Sequence, residues 1–457
     1  MLNNLKHLIR YGTHAEKDFF LGDFSSGYYD AVILNGNMVA YSLGAISAFI
    51  LRIHSPFLID PQTHAFQHET EYLLGKNGEP KLSLSKLATF FGDPVRSSLA
   101  KKRKISFSDF TSEESKINFV ENVSKFQVEA ITNKLSSQEE AEYVQYAIKD
   151  TDSNLSERDL KPAAIVAPYF FISGNDYKHW LDLNIDLVNK TKKYSTEKCG
   201  SMPVVAQLVV SREILGDESK REEVFFAYSV LGCEGFLVWV DSFVEDEMPE
   251  KELNDFIKAL STLKTSNKTV HNLYGGYFSI LLTKLSNKLD GVCHGLEYGE
   301  SRGVVPIGGG VPISKYYFPP LHKRLKYADL VKVLRANKWG NNGSKNAEFA
   351  SSVCDCVQCT DISKFGDSKP GKSDKRGVRR NYPTIEAKQH SLKHYLYSKV
   401  REFKSVKKNN LSLLIKDMND QGKKYLPALG EENVGNLVRW KNVVHPFVEE
   451  TPSTKAP

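Results

Sequence analysis

Three cysteines fall within six positions, Cys354-Asp-Cys356-Val-Gln-Cys359. Thiolates at C-x-C-x-x-C spacing supply three corners of a tetrahedral Zn²⁺ site, and a fourth ligand must come from elsewhere. His390 and His394 are the nearest downstream histidines, both on the helix-like stretch 387–403. Three cysteines and one histidine leave no open position, so such a zinc is structural. An iron–sulfur cluster is the other metal reading. The chain has six cysteines in all, too few for a disulfide scaffold of this length.

A second set of residues could do acid–base or covalent chemistry. Asp60 closes the strand-like run 57–59, and Asp241 follows the apolar run VFFAYSVLGCEGFLVWV. Asp290, His294 and Glu297 surround a last strand-like run at 291–293. A carboxylate that ends a buried strand is what the mouth of a barrel looks like in sequence, because catalytic groups gather at the strands' C-terminal ends. Two carboxylates in different environments can divide the roles of nucleophile and general acid/base. His294 is a candidate proton relay near neutral pH.

These residues need a frame. Strand-like runs at 31–34, 57–59, 163–167, 204–210, 236–240 and 291–293 alternate with helix-like stretches at 177–192, 220–231 and 250–263. That alternation predicts βαβ units and a parallel sheet. The runs are continuous rather than alternating, which suits strands covered on both faces. The span from about 30 to 335 accommodates an α/β fold of the (β/α)₈ TIM-like barrel type, typically ~250 residues, with insertions. We expect a catalytic barrel over 1–340, with 68–160 largely an insertion that is helical near 137–148. A C-terminal structural zinc subdomain then spans 341–410, followed by an extension over 411–457. Segments 301–320 and 360–385 read as loops.

The 457 residues are 41% hydrophobic and 25% charged, which excludes wholesale disorder, collagen and coiled coil. The best apolar run, 41–51, is short of the ~20 residues a membrane span needs. The N-terminal MLNNLKHLIRYGTHAEKD has no apolar signal core, so a cytoplasmic protein with no membrane partner is expected. Lys plus Arg exceed Asp plus Glu by 61 to 55, a modest surplus. The surplus is clustered at 101–104, 323–326, 375–380 and 399–408. Arg379-Arg380 beside Tyr382 puts charge next to an aromatic ring, a combination suited to an unpaired base.

Taken in order, these pieces resemble the tRNA-guanine transglycosylase superfamily over roughly 55–405. The cysteine motif followed by His390 in QHSLKHYLYSKVREF resembles its zinc subdomain, so the resemblance selects Cys354, Cys356, Cys359 and His390 as ligands. Leu58-Ile-Asp60-Pro-Gln-Thr-His-Ala-Phe66-Gln67 is similar to L-x-D-S-G-G-F-Q. It puts Asp60 in the place of the catalytic aspartate and Phe66 in that of the base-stacking phenylalanine, with two residues inserted and both glycines missing. Val204-Val-Ala-Gln207 resembles the strand ending in a base-reading glutamine, whose amide offers both a donor and an acceptor. Gly232-Cys-Glu-Gly235-Phe-Leu-Val238 resembles G-x-D-G-Y-A-V, and His271-Asn-Leu-Tyr-Gly275 resembles H-Y-L-M-G. Leu289-Asp290-Gly-Val-Cys293-His294 falls where the family has I-D-M-F-D-C, with Cys293 at the position of the nucleophilic aspartate.

The resemblance implies base exchange. A carboxylate displaces guanine from C1′ of a nucleotide, and a 7-deazaguanine base then replaces guanine. Asp60 is the expected acid/base. The expected nucleophile is Asp241, then Glu297, then Asp290, which precedes its strand. Phe66, Gln207, His294, Arg379 and Arg380 are the expected substrate-binding residues. The pocket departs from the tRNA enzymes. Trp239-Val240 replaces a glycine pair, Tyr169 replaces a purine-reading aspartate, and Gly295-Leu-Glu297-Tyr-Gly-Glu300-Ser-Arg302 replaces L-P-T-R-S-G-R. A changed pocket on a retained scaffold is most similar to the 7-deazaguanine DNA transglycosylases of DNA-modification and defence systems. Their activity implies DNA, 7-cyano-7-deazaguanine and accessory proteins as partners. A divergent tRNA-guanine transglycosylase, or a catalytically inactive nucleic-acid-binding paralogue, are the alternatives.

Overall fold

The structure is a computed structural model. It describes residues 2–12, 16, 19–20, 27–53, 55–135, 160–264, 268–285, 288–296, 299–305, 315–339, 343–373 and 379–448. The expected helix near 137–148 lies outside them, as does Glu297.

Eight parallel strands form one nearly closed, barrel-like sheet. They are β1 (His7–Tyr11), β2 (Ala31–Asn35), β3 (Phe57–Asp60), β4 (Ile165–Val166), β5 (Val204–Val210), β6 (Gly235–Val240), β7 (Thr269–Asn272) and β8 (Gly291–Gly295). The order is β3-β2-β1-β8-β7-β6-β5-β4, so among the described residues the seam lies between β3 and β4. The Ala163 N–H bridges it to the Phe57 carbonyl at 2.8 Å. Beside the two-residue β4, Gln127 does a strand's work. Its amide donates to the Val166 carbonyl at 2.8 Å and accepts from the Val166 N–H at 2.9 Å.

Side-chain alternation divides the sheet into two faces. Leu8, Ala31, Ile33, Leu58, Val166, Val205, Val209, Leu237, Trp239 and Cys293 pack together inside the barrel. The residues between them face the helices. In Glu250–Leu263 the inward set Leu253, Phe256, Ile257, Leu260 and Leu263 follows helical spacing and is buried. Because its inner side chains pack against the other strands and its outer ones against the helices, every residue of β5 is buried, which explains its nearly unbroken apolar run.

Several expectations are corrected. The first strand is His7–Tyr11, ahead of the 30–335 span. Within segment 68–160, helix Glu113–Leu135 packs between helices Leu43–Ile53 and Tyr177–Lys198 in the outer layer. The expected loops 301–320 and 360–385 each contain strand. β9 (Lys315–Phe318) pairs with β10 (Lys323–Lys326), and β11 (Ser368–Ser373) pairs with β12 (Arg379–Pro383), both antiparallel.

Beyond the barrel, a long helix (Ile385–Lys408) leads into two further helices, Leu411–Leu429 and Glu431–Val444. They are joined at Gly430, whose φ of +75° a side chain would strain. The last helix returns to the barrel, where Trp440 Nε1 donates to the Glu245 carbonyl at 3.1 Å. Among the described residues, no helix is long and apolar enough to cross a membrane.

Candidate functional site

Asp60 is the last residue of β3 and is fully buried at the C-terminal end of the strands. Its partners come from three other segments. Arg10 of β1 forms an ion pair with Oδ2. The Tyr169 hydroxyl donates to Oδ1 at 2.7 Å and the Gln62 N–H at 3.0 Å. Burial alone would push this carboxyl up. The charge of Arg10, its hydrogen bond, His64 and the Tyr169 hydroxyl instead hold it below the usual carboxylate range. Such a group stays ionised. It therefore suits a nucleophile or a stabiliser of positive charge, and does not suit the general-acid role expected for it.

Aromatic groups wall this corner. His64 stacks on Tyr169 with ring centroids 5.2 Å apart and meets Trp239 edge-on at 5.3 Å. Burial pushes the His64 imidazole down to about 3, so it is neutral. Tyr274 lies 4.9 Å from Trp239 and takes the Arg10 guanidinium over its ring at 5.4 Å. Cys293 faces the same lumen from β8, and burial pushes its thiol up to about 12 against the opposing charge of Arg10. A protonated thiol there is no substitute for a carboxylate nucleophile.

The other expected residues divide into those near the lumen and those away from it. Gln207, on β5, shares the inward phase of Val205 and Val209. It is buried, and neither amide atom has a partner among the described residues. Asp241 follows β6 and is half-buried, and its Oδ1 accepts from the Val304 N–H at 2.6 Å. It anchors the loop that follows β8, while Trp239 Nε1 donates to the Arg302 carbonyl at 2.9 Å nearby.

Phe66 is buried outside the lumen, against Phe91, and offers no face to a base. His294 also points outward, because it neighbours Cys293 and must lie on the opposite face of β8. Its Nε2 is 3.1 Å from that of His7, and its ring meets Tyr395. Burial holds its imidazole well below the usual value, so it does not titrate near neutral pH as expected. Arg379 and Arg380 open β12, in the hairpin with β11.

The metal centre is well defined. Cys354, Cys356, Cys359 and His394 are buried, and their ligand atoms lie within 4.8 Å of one another. The fourth corner is thus His394 and not His390. From His394 Nδ1 the three sulfurs are at 3.5, 3.4 and 3.3 Å. Tetrahedral zinc with ordinary bond lengths would set sulfur and nitrogen about 3.5 Å apart. His394 Nε2 donates to the Tyr317 carbonyl at 2.6 Å, which turns Nδ1 toward the thiolates. The residues therefore fit a structural zinc. His390 sits one helical turn earlier, half-buried, with Nε2 3.6 Å from Glu386.

Several residues of the described basic clusters are engaged in internal ion pairs. Lys102, Arg103 and Lys104 pair with Glu79, Asp109 and Glu69. Lys323 pairs with Asp246, and Arg401 pairs with Asp355. Lys399 is wholly buried. Lys326, Lys404, Lys407 and Lys408 are exposed.

Sequence reasoning missed Arg10, His64 and Tyr274. The available signal for Arg10 was a lone cation inside the short apolar run HLIRY. Glu245 was also unassigned. It accepts from the N–H groups of Gly276 and Ser279 at 2.9 and 3.2 Å, and burial pushes its carboxyl up to about 7.

No protein-family model matches the chain, and no curated protein or solved structure matches it.

Proposed function

We propose that the chain is a pentosyltransferase that exchanges guanine in DNA for 7-cyano-7-deazaguanine through a covalent glycosyl-enzyme, on a TIM-like barrel with a structural zinc subdomain. The observation that carries this reading is a combination on the inner face of one barrel. An aspartate is held ionised at a strand end, and an inward glutamine amide on β5 has no partner for either polar atom among the described residues. The motif order and the Cys₃His centre support the same reading.

The geometry favours exchanging the two carboxylate roles. Among the described residues Asp60 Oδ2 has only Arg10 as a partner, and a carboxylate oxygen retains further lone-pair capacity. Oδ2 attacks C1′ as the C1′–N9 bond breaks, and the electron pair leaves with guanine, which takes a proton from Asp241. The incoming base gives its N9 proton to Asp241 and attacks C1′, and Asp60 leaves as the carboxylate. Zinc, if held by Cys354, Cys356, Cys359 and His394, would supply folding energy and no step of the exchange.

The test is nucleoside mass spectrometry of genomic DNA and tRNA from cells with and without the gene. A gene-dependent deazaguanine nucleoside in DNA supports the reading, and one in tRNA alone transfers it to a divergent tRNA enzyme. Cys293 in the family's nucleophile position favours one further reading, an inactive nucleic-acid-binding paralogue, which modified bases in neither pool would select. Denaturing gels locate the nucleophile: Asp60→Ala should lose a trapped protein–DNA adduct, whereas an adduct lost only in Asp241→Ala restores the original roles.

A further inference from the structure

Arg10 is 2% exposed and only partly satisfied. Its Nη2 donates to Asp60, while Nε and Nη1 have no partner among the described residues. A buried N–H without an acceptor is costly, and buried polar groups are nearly always paired. The ion pair with Asp60 explains why a cation is present. It does not explain why the residue is arginine, whose remaining donors are left over. Gln207, of inward phase on β5, also has an amide with no partner among the described residues. The Arg10 guanidinium lies over the Tyr274 ring, Trp239 stands 4.9 Å from Tyr274, and the Tyr169 hydroxyl reaches the same carboxylate as Arg10. Aromatic rings beside leftover donors, with an inward amide on the same sheet face, describe a seat for a flat heterocycle. A phosphate would find the cation but not a partner for the amide and rings.

We infer that Arg10 is a specificity-determining residue, whose free N–H groups recognise the 6-carbonyl oxygen of the guanine-type base in the barrel lumen. The inference rests on the base-exchange reading for the identity of the ring, and deepens it by naming the group that is read. Arginine has donors and no acceptor, so a base with an amino group at that position would set donor against donor. Oxo-purines are thereby accepted and 6-amino-purines rejected. Gln207 contacts the ring elsewhere and is indifferent to the substituent at that position.

The experiment compares two free bases by titration calorimetry, 7-deazaguanine and 2,6-diamino-7-deazapurine, which differ in the 6-carbonyl or 6-amino group and in the N1 proton that accompanies the carbonyl. The wild-type protein should bind the first roughly 10–100-fold more tightly, the worth of one charge-assisted hydrogen bond. Arg10→Met, which removes every donor, should bring the ratio close to one. Gln207→Leu should weaken both bases and preserve the ratio. Asp60→Asn, which leaves the guanidinium in place, should preserve it too. A wild-type ratio near one, binding of neither base, or a ratio that survives Arg10→Met overturns the inference. If Arg10→Met fails to fold, the wild-type ratio and its persistence in Asp60→Asn decide. Discrimination between the bases in a protein whose cells show no modified DNA or tRNA would sink the base-exchange reading and leave this one standing.

Discussion

Replacing Arg10 with methionine should destabilise the protein in a pH-dependent way, and the sign follows from the burial of Asp60. In the native protein the carboxyl is held low, so Asp60 contributes stability that is fully present above its unfolded value near 4 and is lost only as pH falls through the lower folded value. Between pH 7.5 and 5.5 it therefore adds no slope. Without Arg10 the carboxylate is 0% exposed and uncompensated, and burial lifts its folded value above the unfolded one. The folded state then binds more protons than the unfolded state, and stability falls as pH rises through that window. Breaking a buried pair from one side costs about 3–5 kcal/mol. Unfolding entropy near 2.1 cal/mol/K per residue gives about 1 kcal/mol/K for a chain of this length, so Tm should drop by roughly 3–5 °C at pH 7.5. The drop should be smaller at pH 5.5. Thermal melts of the wild type, Arg10→Met and Arg10→Met/Asp60→Asn at both pH values check this. The double variant should regain most of the loss. An equal drop at both pH values, or a double variant no better than the single one, would refute the account of Asp60 as a charge held by Arg10.

His394→Ala should abolish stoichiometric zinc and lower soluble yield together, while His390→Ala keeps about one zinc per chain by elemental analysis; the opposite pattern restores His390. Asp60→Asn should fold and lose incorporation of deazaguanine into DNA, as read by nucleoside mass spectrometry, and near wild-type incorporation removes Asp60 from the chemistry. Arg379→Ala with Arg380→Ala should weaken DNA binding for every sequence and flatten its salt dependence, and an unchanged salt slope removes the β12 arginines from the interface.

What the sequence revealed and what it hid have physical causes. The run Val204–Val210 is legible to the residue because both of its faces are buried in apolar surroundings. Asp60 is legible because a carboxylate after FLI has few reasons to be there. β1 is hidden because its outward His7 and inward Arg10 break the apolar run, each serving a polar cluster formed by residues far along the chain. β7 is hidden similarly, its His271 being paired with the Leu5 carbonyl at 2.8 Å. His390 and His394 lie four residues apart on one helix face, so periodicity cannot separate them. What separates them is depth, set by the Tyr316 ring stacked on His394 and by the Tyr317 carbonyl. Phe66 was misplaced for a related reason, since a motif gives order along the chain and not the side of the strand on which a ring falls.

The metal centre and the barrel mouth are not independent, and Tyr317 shows why. Its carbonyl fixes His394, while its hydroxyl donates to Glu402 at 2.5 Å and accepts from Lys399 at 2.7 Å. Lys399 is fully buried on the helix that carries His394, and its ammonium reaches Glu300, in the segment that follows β8. Burial would lower the Lys399 ammonium, yet Glu300 and Glu402 together raise it, so the cation is locked in place. Arg324 of β10 adds a hydrogen bond to the Leu296 carbonyl at 2.9 Å. A buried lysine between two carboxylates tolerates little displacement, because losing either partner leaves an uncompensated charge. The helix that completes the Cys₃His site thus also grips the loop bordering the candidate site. A structural metal held there would brace the mouth from outside, which would give the fold a reason to keep it although no step of the proposed exchange passes through it.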